Sequence, residues 1–323
     1  MIPRLVAVPT VADVDAAAAV VGARLTPTPL VPAPALGEHV HLKLETFQPT
    51  GSFKVRGGLA ALARAAGGPV VTASAGNAGL GLAWAAAALG VEATVVVART
   101  ASPAKVAALA ALPVTLVEHG DGYDAAEAHA LELAARGATY VSAYNDTGVI
   151  AGQATLGREL GAQAPGPLTV ACPLGGGSLA SGLGLWAAGR EGARVVAAEA
   201  ERSPAFITAL AAGAITRFEV GETLADGLAG NLEPGAVTFG LVRDHVDAVV
   251  QVSEPEIEDA IRFLARAHGL VVEGAGAVAV AAVMTGRVVA GDGPLVVVVS
   301  GRNIALDRLA AVLAPDVYVN GAH

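Results

Sequence analysis

At 323 residues the chain is long enough for two domains or one large α/β unit with sizeable buried cores. A net charge of −9, a sequence pI near 5.2 and only 20 Lys and Arg, with no basic run, exclude nucleic acid as a general partner. A single cysteine, Cys172, excludes an internal disulfide and a Cys-rich metal site.

The hydrophobic share of 54% and mean hydropathy of +0.57 are largely alanine. The longest apolar run, about Leu80 to Ala98, is interrupted by Gly81, Gly90, Glu92 and Thr94. It reads as a buried helix followed by a buried strand rather than a membrane span. Met1-Ile2-Pro3-Arg4 leads into no apolar signal region, so the expectation is a soluble, cytoplasmic protein that meets no membrane.

Val11 to Arg24 carries helical Ala/Val periodicity, ended by the prolines at 27 and 29. Val40 to Glu45 reads as a strand. It is followed by Gln48-Pro49-Thr50-Gly51-Ser52-Phe53-Lys54-Val55-Arg56-Gly57-Gly58 and an Ala-rich helix from about Leu59 to Ala66. From Pro69 strands and helices alternate: strand Val70–Ala73, helix Gly79–Leu89, strand Ala93–Ala98 and a helix opened by Pro103. Strand Val114–Val117, helix Tyr123–Ala135 and a return strand Tyr140–Ser142 complete the block.

A second series runs through strand Leu168–Pro173, a glycine loop with a helix to about Arg190, and strand Arg194–Glu199. Helices near Pro204–Ala211 and Glu254–His268 follow. Pro294 to Ser300 is the continuous apolar run of a central parallel strand. The expected fold is α/β with two doubly wound parallel-sheet domains. Residues 1–66 plus 143–323 form the larger domain and 67–142 the smaller, with boundaries near Gly67-Gly68 and Ser142.

Three strand-to-helix or strand-end loops carry candidate chemistry. Gly175-Gly176-Gly177-Ser178 places successive backbone N–H groups and a helix N-terminus where an anion can sit, which suits a phosphate. Gly175-x-Gly177-x-x-Ala180 also fits a dinucleotide fingerprint, with Glu199 at about the expected distance for a ribose partner. Ser74-Ala75-Gly76-Asn77 offers amides for a carboxylate and an Asn77 donor for a phenolic oxygen. Ser300-Gly301-Arg302-Asn303 places a hydroxyl at a strand carboxyl end, where ligands of open α/β sheets bind. Lys54, at a helix start and partly buried, has the setting that lowers an ammonium pKa and allows attack on an aldehyde.

Pro49-Thr50-Gly51-Ser52-Phe53-Lys54 followed by Arg56-Gly57 resembles the lysine segment of fold-type II pyridoxal-phosphate enzymes, in their serine/threonine dehydratase branch with serine racemase. The resemblance extends in order through Ser74–Asn77, Val149-Ile150-Ala151-Gly152-Gln153, Gly175–Ser178, Ala225-Asp226-Gly227 and Ser300–Asn303, and so covers most of the chain. It implies a tryptophan synthase β-like fold and pyridoxal 5'-phosphate held as a Schiff base on Lys54. Phe53 would lie by the ring, Asn77 at its oxygen, Gly227 along it and Ser300 at its nitrogen. Gly175, Gly176, Gly177 and Ser178 would hold the phosphate. A substrate carboxylate would settle on Ser74, Ala75, Gly76 and Asn77.

The same resemblance implies β-elimination from a 3-hydroxy amino acid, with Lys54 as general base, to a 2-oxo acid and ammonia. It implies a homodimer, and Glu273 as a supporting carboxylate. Departures from the pattern qualify it. Ala75 stands where serine racemase carries a proton-donating Ser, which argues against racemisation. Glu199 matches a cation-binding acid, but Ala205 replaces its Asp partner, leaving a monovalent ion at most. Lys54-Val55-Arg56 departs from the Lys-Asp-Arg of β/γ-replacement synthases of this fold. A Rossmann oxidoreductase has no use for Lys54, and a non-catalytic amino-acid sensor would have lost it. Only 23 residues follow Ser300, so no C-terminal regulatory domain, and no feedback inhibition by isoleucine, is expected.

Overall fold

The computed structural model describes residues 4–65 and 67–314. In chain order the helices are α1 Val11–Gly22, α2 Lys54–Arg64, α3 Asn77–Leu89, α4 Pro103–Ala110, α5 Tyr123–Ala135, α6 Thr147–Gln163, α7 Ser178–Ala188, α8 Ala205–Ala212, α9 Val237–His245, α10 Glu254–His268, α11 Gly274–Met284 and α12 Leu306–Leu313. The strands are β1 Leu30–Pro32, β2 Val40–Leu44, β3 Val70–Ala73, β4 Ala93–Val97, β5 Thr115–Glu118, β6 Thr139–Tyr140, β7 Leu168–Pro173, β8 Ala193–Ala200, β9 Ala248–Val252 and β10 Leu295–Val299.

The strands form two sheets, a larger one ordered β1-β2-β10-β7-β8-β9 and a smaller one ordered β5-β4-β3-β6. All pairings are parallel except β1 with β2, an antiparallel edge. The Val-rich run of β10 is buried on both faces, as its sequence requires. Val297 and Val299 pack with Leu42 against Ile257, Ile261 and Val278 of α10 and α11, while Val296 and Val298 pack against Leu156, Leu183 and Val242. β2, β10 and β7 lie side by side and parallel, so their carboxyl ends deliver the Lys54 segment, the Ser300 loop and the Gly175 loop to one edge.

The structure differs from the sequence reading in several elements. The helix carrying Lys54 begins at Lys54 itself and runs through Gly57-Gly58. Ala66, where the sequence ends that helix, lies outside the described residues. The two glycines act as contact points rather than breakers: a Cβ on Gly58 would meet Gly81 O at 2.7 Å, and one on Gly81 would meet the Lys54 carbonyl carbon at 2.8 Å. α2 therefore lies backbone against backbone on α3.

α6 went unread as a helix for the same reason. A Cβ on its Gly148 or Gly152 would meet Ala61 Cα at 2.6 Å or Arg56 O at 2.5 Å, so these positions must be bare for α6 to pack on α2. The strand at 139–140 ends before Val141 and pairs parallel with β3.

Candidate active site

Lys54 is the first residue of α2, and the loop before it is held to the Ser300 loop. Phe53 N donates to Ser300 O at 3.1 Å, Arg302 N donates to Gly51 O at 2.9 Å, and Ser52 bridges Gly301. Nζ of Lys54 donates to the Ala143 carbonyl at 2.8 Å and lies 5.2 Å from the centre of the Phe53 ring. Burial lowers the Lys54 pKa to about 8, against a smaller upward pull from the Glu273 carboxylate. The depressed value anticipated from the sequence is present, and burial is its main cause.

Beneath this turn sits a buried ion network. Arg56 donates to both oxygens of Glu45 at 2.8 Å and to Glu159 at 2.7 Å, and Lys43 pairs with Glu159. Thr28 Oγ1 donates to Glu45 at 2.6 Å. Although burial pushes Glu45 up, the Arg56 guanidinium holds it below the ordinary carboxylate value. The network ties β2, the first turn of α2 and α6 into one block.

A cavity of about 760 Å³ brings together Phe53, Lys54, the residues 74–77, the residues 175–178, Gly227, Glu273 and Ser300. Residues drawn from segments up to 247 positions apart thus share one space. Gly177 has φ of +90°, which favours glycine, and leads directly into α7. A Cβ on Gly175 would meet Leu228 Cα at 2.8 Å, and one on Gly176 would collide with the Tyr144 ring. The loop is therefore bare because side chains have no room behind it, and it keeps the N-terminus of α7 open to an anion.

Asn77 opens α3. Its Nδ2 donates to Glu273 Oε1 at 2.7 Å, and its Oδ1 accepts from Asn303 Nδ2 at 2.7 Å. Since an amide nitrogen carries two hydrogens, one remains for a ligand. Burial raises the Glu273 pKa to about 7, against the hydrogen bond from Asn77, so this carboxyl is part-protonated near neutrality.

Glu199 is set apart from the cavity lining. Its two oxygens accept from Phe206 N at 2.7 Å and Ile207 N at 2.9 Å, capping the start of α8, and burial raises its pKa to about 7. As a ribose partner for a dinucleotide it is misplaced. Among the described residues no group of three or more His, Cys, Asp or Glu is placed to hold a metal ion. Arg302 is exposed, with its side chain over Gly51, and does not line the cavity.

Sequence reasoning missed Tyr144, Glu127, Glu233 and Lys105, which also line the cavity. Lys105 pairs with Asp226 across the opening at 2.8 Å, and Tyr144 Oη accepts from Glu233 N at 2.8 Å. No motif flags these residues, because each reaches the cavity from a different element.

The donors suit pyridoxal 5'-phosphate. A bare, helix-ended glycine loop fits its phosphate, a low-pKa amine fits its aldehyde, an Asn N–H its ring oxygen and a serine hydroxyl its ring nitrogen. The sequence profile of the family described as "Pyridoxal-phosphate dependent enzyme" matches residues 22–301. The chain belongs to that family. It is 38% identical over 293 residues to an L-threonine ammonia-lyase of Thermotoga maritima, covering 88% of this chain and 72% of that one. It is 34% identical over 281 residues to a catabolic L-threonine dehydratase of Escherichia coli, covering 84% and 85%. Among solved structures of the family, maize serine racemase superposes with a TM-score of 0.87 at 28% identity, covering 94% of this chain and 97% of that one. The two mostly parallel sheets are thus those of fold-type II pyridoxal-phosphate enzymes. Among the described residues no helix is long and apolar enough to cross a membrane.

Proposed function

We propose that this protein is an ammonia-lyase that converts a 3-hydroxy amino acid, L-threonine or L-serine, into the 2-oxo acid and ammonia. One observation carries the reading. The Lys54 amine, lowered to about 8 by burial, shares one cavity with the Gly175–Ser178 loop and the Ser300 hydroxyl.

Bound pyridoxal 5'-phosphate supplies an aldehyde for the substrate's amino group and a ring that withdraws electrons from Cα. Residues 175–178 would anchor the phosphate, Asn77 would give its second N–H to the ring oxygen, and Phe53 and Gly227 would line the space for the ring. The amides at Ser74, Ala75, Gly76 and Asn77 fix the substrate carboxylate at the start of α3. Lys54 Nζ takes the α-proton as general base, which its lowered pKa permits near neutral pH. The β-hydroxyl then takes up one proton, the equivalent of the one Lys54 removed, and leaves as water, and the enamine left behind takes water back and releases ammonia.

Ser300 offers the ring nitrogen a neutral hydroxyl, so the ring holds negative charge poorly. That favours prompt loss of the β-hydroxyl over transamination. Ala75 has no proton to give on the opposite face, which supports elimination over racemisation. Glu273 supports the ring side through Asn77. Any cation on Glu199 has to compete with the two backbone N–H groups it already accepts.

As parts of the same proposal, the enzyme works in the cytoplasm as a homodimer, and residues 1–66 with 143–323 form its larger domain and 67–142 the smaller. The test is 2-oxo acid release by cofactor-loaded enzyme from L-serine, L-threonine and threo-3-hydroxyaspartate. Turnover that disappears in Lys54→Ala supports the reading. A bound cofactor with no turnover of any of them redirects it to a β/γ-replacement synthase of this fold.

A further inference from the structure

The cavity extends beyond the cradle described above, to a wall built from α5 and the segment after β6. There Glu127 lines the cavity although its residue is only 8% exposed. Its Oε1 accepts from two phenols, Tyr123 at 3.1 Å and Tyr140 at 2.8 Å. Burial, reinforced by the Tyr123 phenol and the Glu127 charge, raises the Tyr140 pKa, so that phenol stays protonated and donating, while Tyr123, 46% exposed, donates from the solvent side. Oε2 has no hydrogen-bond partner among the described residues and is not among the sealed polar atoms, so it is solvent-accessible on a residue that lines the cavity.

The cation beside this wall is engaged by a different carboxylate. Arg4 stacks 4.8 Å over the Tyr140 ring, and its guanidinium is engaged with both oxygens of Glu233 at 3.1 and 2.7 Å. Arg4 and Glu233 cancel, which leaves buried Glu127 and, one turn earlier on α5, exposed Asp124 as the carboxylates of this wall. The cavity-lining cations away from the cradle are exposed Arg217 and Lys105, already paired with Asp226. A buried carboxylate with an open oxygen is stabilised by a cationic donor and repels an anion.

We propose that Glu127, oriented by Tyr123 and Tyr140, binds an ammonium group at the far end of the substrate's side chain. The preferred substrates are then 3-hydroxy amino acids with a cationic side chain, and acidic ones such as 3-hydroxyaspartate are rejected. This specificity rests on the ammonia-lyase reading, with L-threonine as a short substrate that leaves the wall unused.

The experiment compares 3-hydroxyornithine with 3-hydroxynorvaline, which differ only in the terminal ammonium, by kcat/KM for 2-oxo acid release. One charged hydrogen bond predicts a preference of about tenfold or more for 3-hydroxyornithine, carried by KM. In Glu127→Gln the ratio collapses towards unity, and in Tyr140→Phe it falls part-way. The cofactor absorption band in each variant reports that the fold is retained. Equal rates in the wild type, or a ratio unchanged in Glu127→Gln, overturn the inference.

Calorimetric binding of L-ornithine against L-norvaline to the cofactor-loaded enzyme decides the same question without turnover. If no hydroxyamino acid reacts, the ammonia-lyase reading fails by itself. Tighter binding of L-ornithine that is lost in Glu127→Gln then still supports the ammonium site, and equal binding overturns it.

Discussion

Asn77 and Glu273, 196 residues apart in the chain, are joined by a 2.7 Å hydrogen bond that ties the first turn of α3 to the residue that caps the start of α11. Asn303 extends the connection, donating to Asn77 Oδ1 at 2.7 Å and to Thr50 O at 2.8 Å. The small-sheet loop, the Lys54 turn and the Ser300 loop thus share one chain of hydrogen bonds. Asn303→Ala is expected to destabilise the apoenzyme by about 1 kcal/mol and to weaken cofactor binding, because Asn77 loses the partner that orients its amide. Denaturant unfolding and a cofactor titration check both; an unchanged cofactor affinity refutes the positioning.

The lowered pKa of Lys54 predicts how the apoenzyme captures its cofactor. Only the free amine reacts, so the capture rate is expected to rise about tenfold per pH unit below pH 8 and to level off above it. The growth of the visible absorption band after mixing, followed from pH 6 to 10, reads this directly.

Stability follows the same pKa shifts. Lys54 is lowered from 10.5 to about 8, so the unfolded chain holds more protons between those values, and the residue's cost to folding shrinks as pH rises through that window. Lys54→Met is expected to raise the apoenzyme's unfolding midpoint at pH 7, with the gap closing towards pH 10.5. Glu273 acts in the opposite sense. Raised from 4.5 to about 7, it contributes fully below pH 4.5, and its contribution is lost as pH rises through about 7. Against wild type, Glu273→Gln should therefore gain relative stability across that interval.

Arg56 is 1% exposed and Glu45 fully buried, so removing one partner strands the other's charge. Arg56→Met is expected to cost about 3–5 kcal/mol, and the double variant with Glu45→Met to recover much of that. Chemical unfolding of the apoenzyme measures both. A single-variant loss below about 1 kcal/mol would show that water already screens the pair.

Gly175→Ala tests the cradle. Its Cβ would fall 2.8 Å from Leu228 Cα, a backbone atom that cannot swing aside. Overpacking of this kind is expected to weaken cofactor affinity about 10–100-fold, read by titrating the apoenzyme with cofactor.

The legible parts of this protein were those whose chemistry is local. Lys54 after Pro49-Thr50-Gly51-Ser52, the bare run at 175–177 and the valines of β10 each announce a turn, an anion cradle or a twice-buried strand from neighbouring residues alone. Gly57, Gly58, Gly148 and Gly152 misled, because a glycine in a helix reads as a breaker until the partner helix pressing on it is known.

Sequence by itself determined that strands and helices alternate, that Lys54 follows a turn ahead of a helix and that the glycine loop follows a strand. Those features depend on periodicity and on φ/ψ preferences that act within a few residues. Only the tertiary structure decided that β2, β10 and β7 lie adjacent and parallel, and that Glu273 meets Asn77. It also decided that Glu127 reaches the cavity that Lys54 opens on, while Glu199 is turned away to cap α8. Burial, which lowers Lys54 and raises Glu273, arises from packing between distant segments, and no local pattern of residues encodes it.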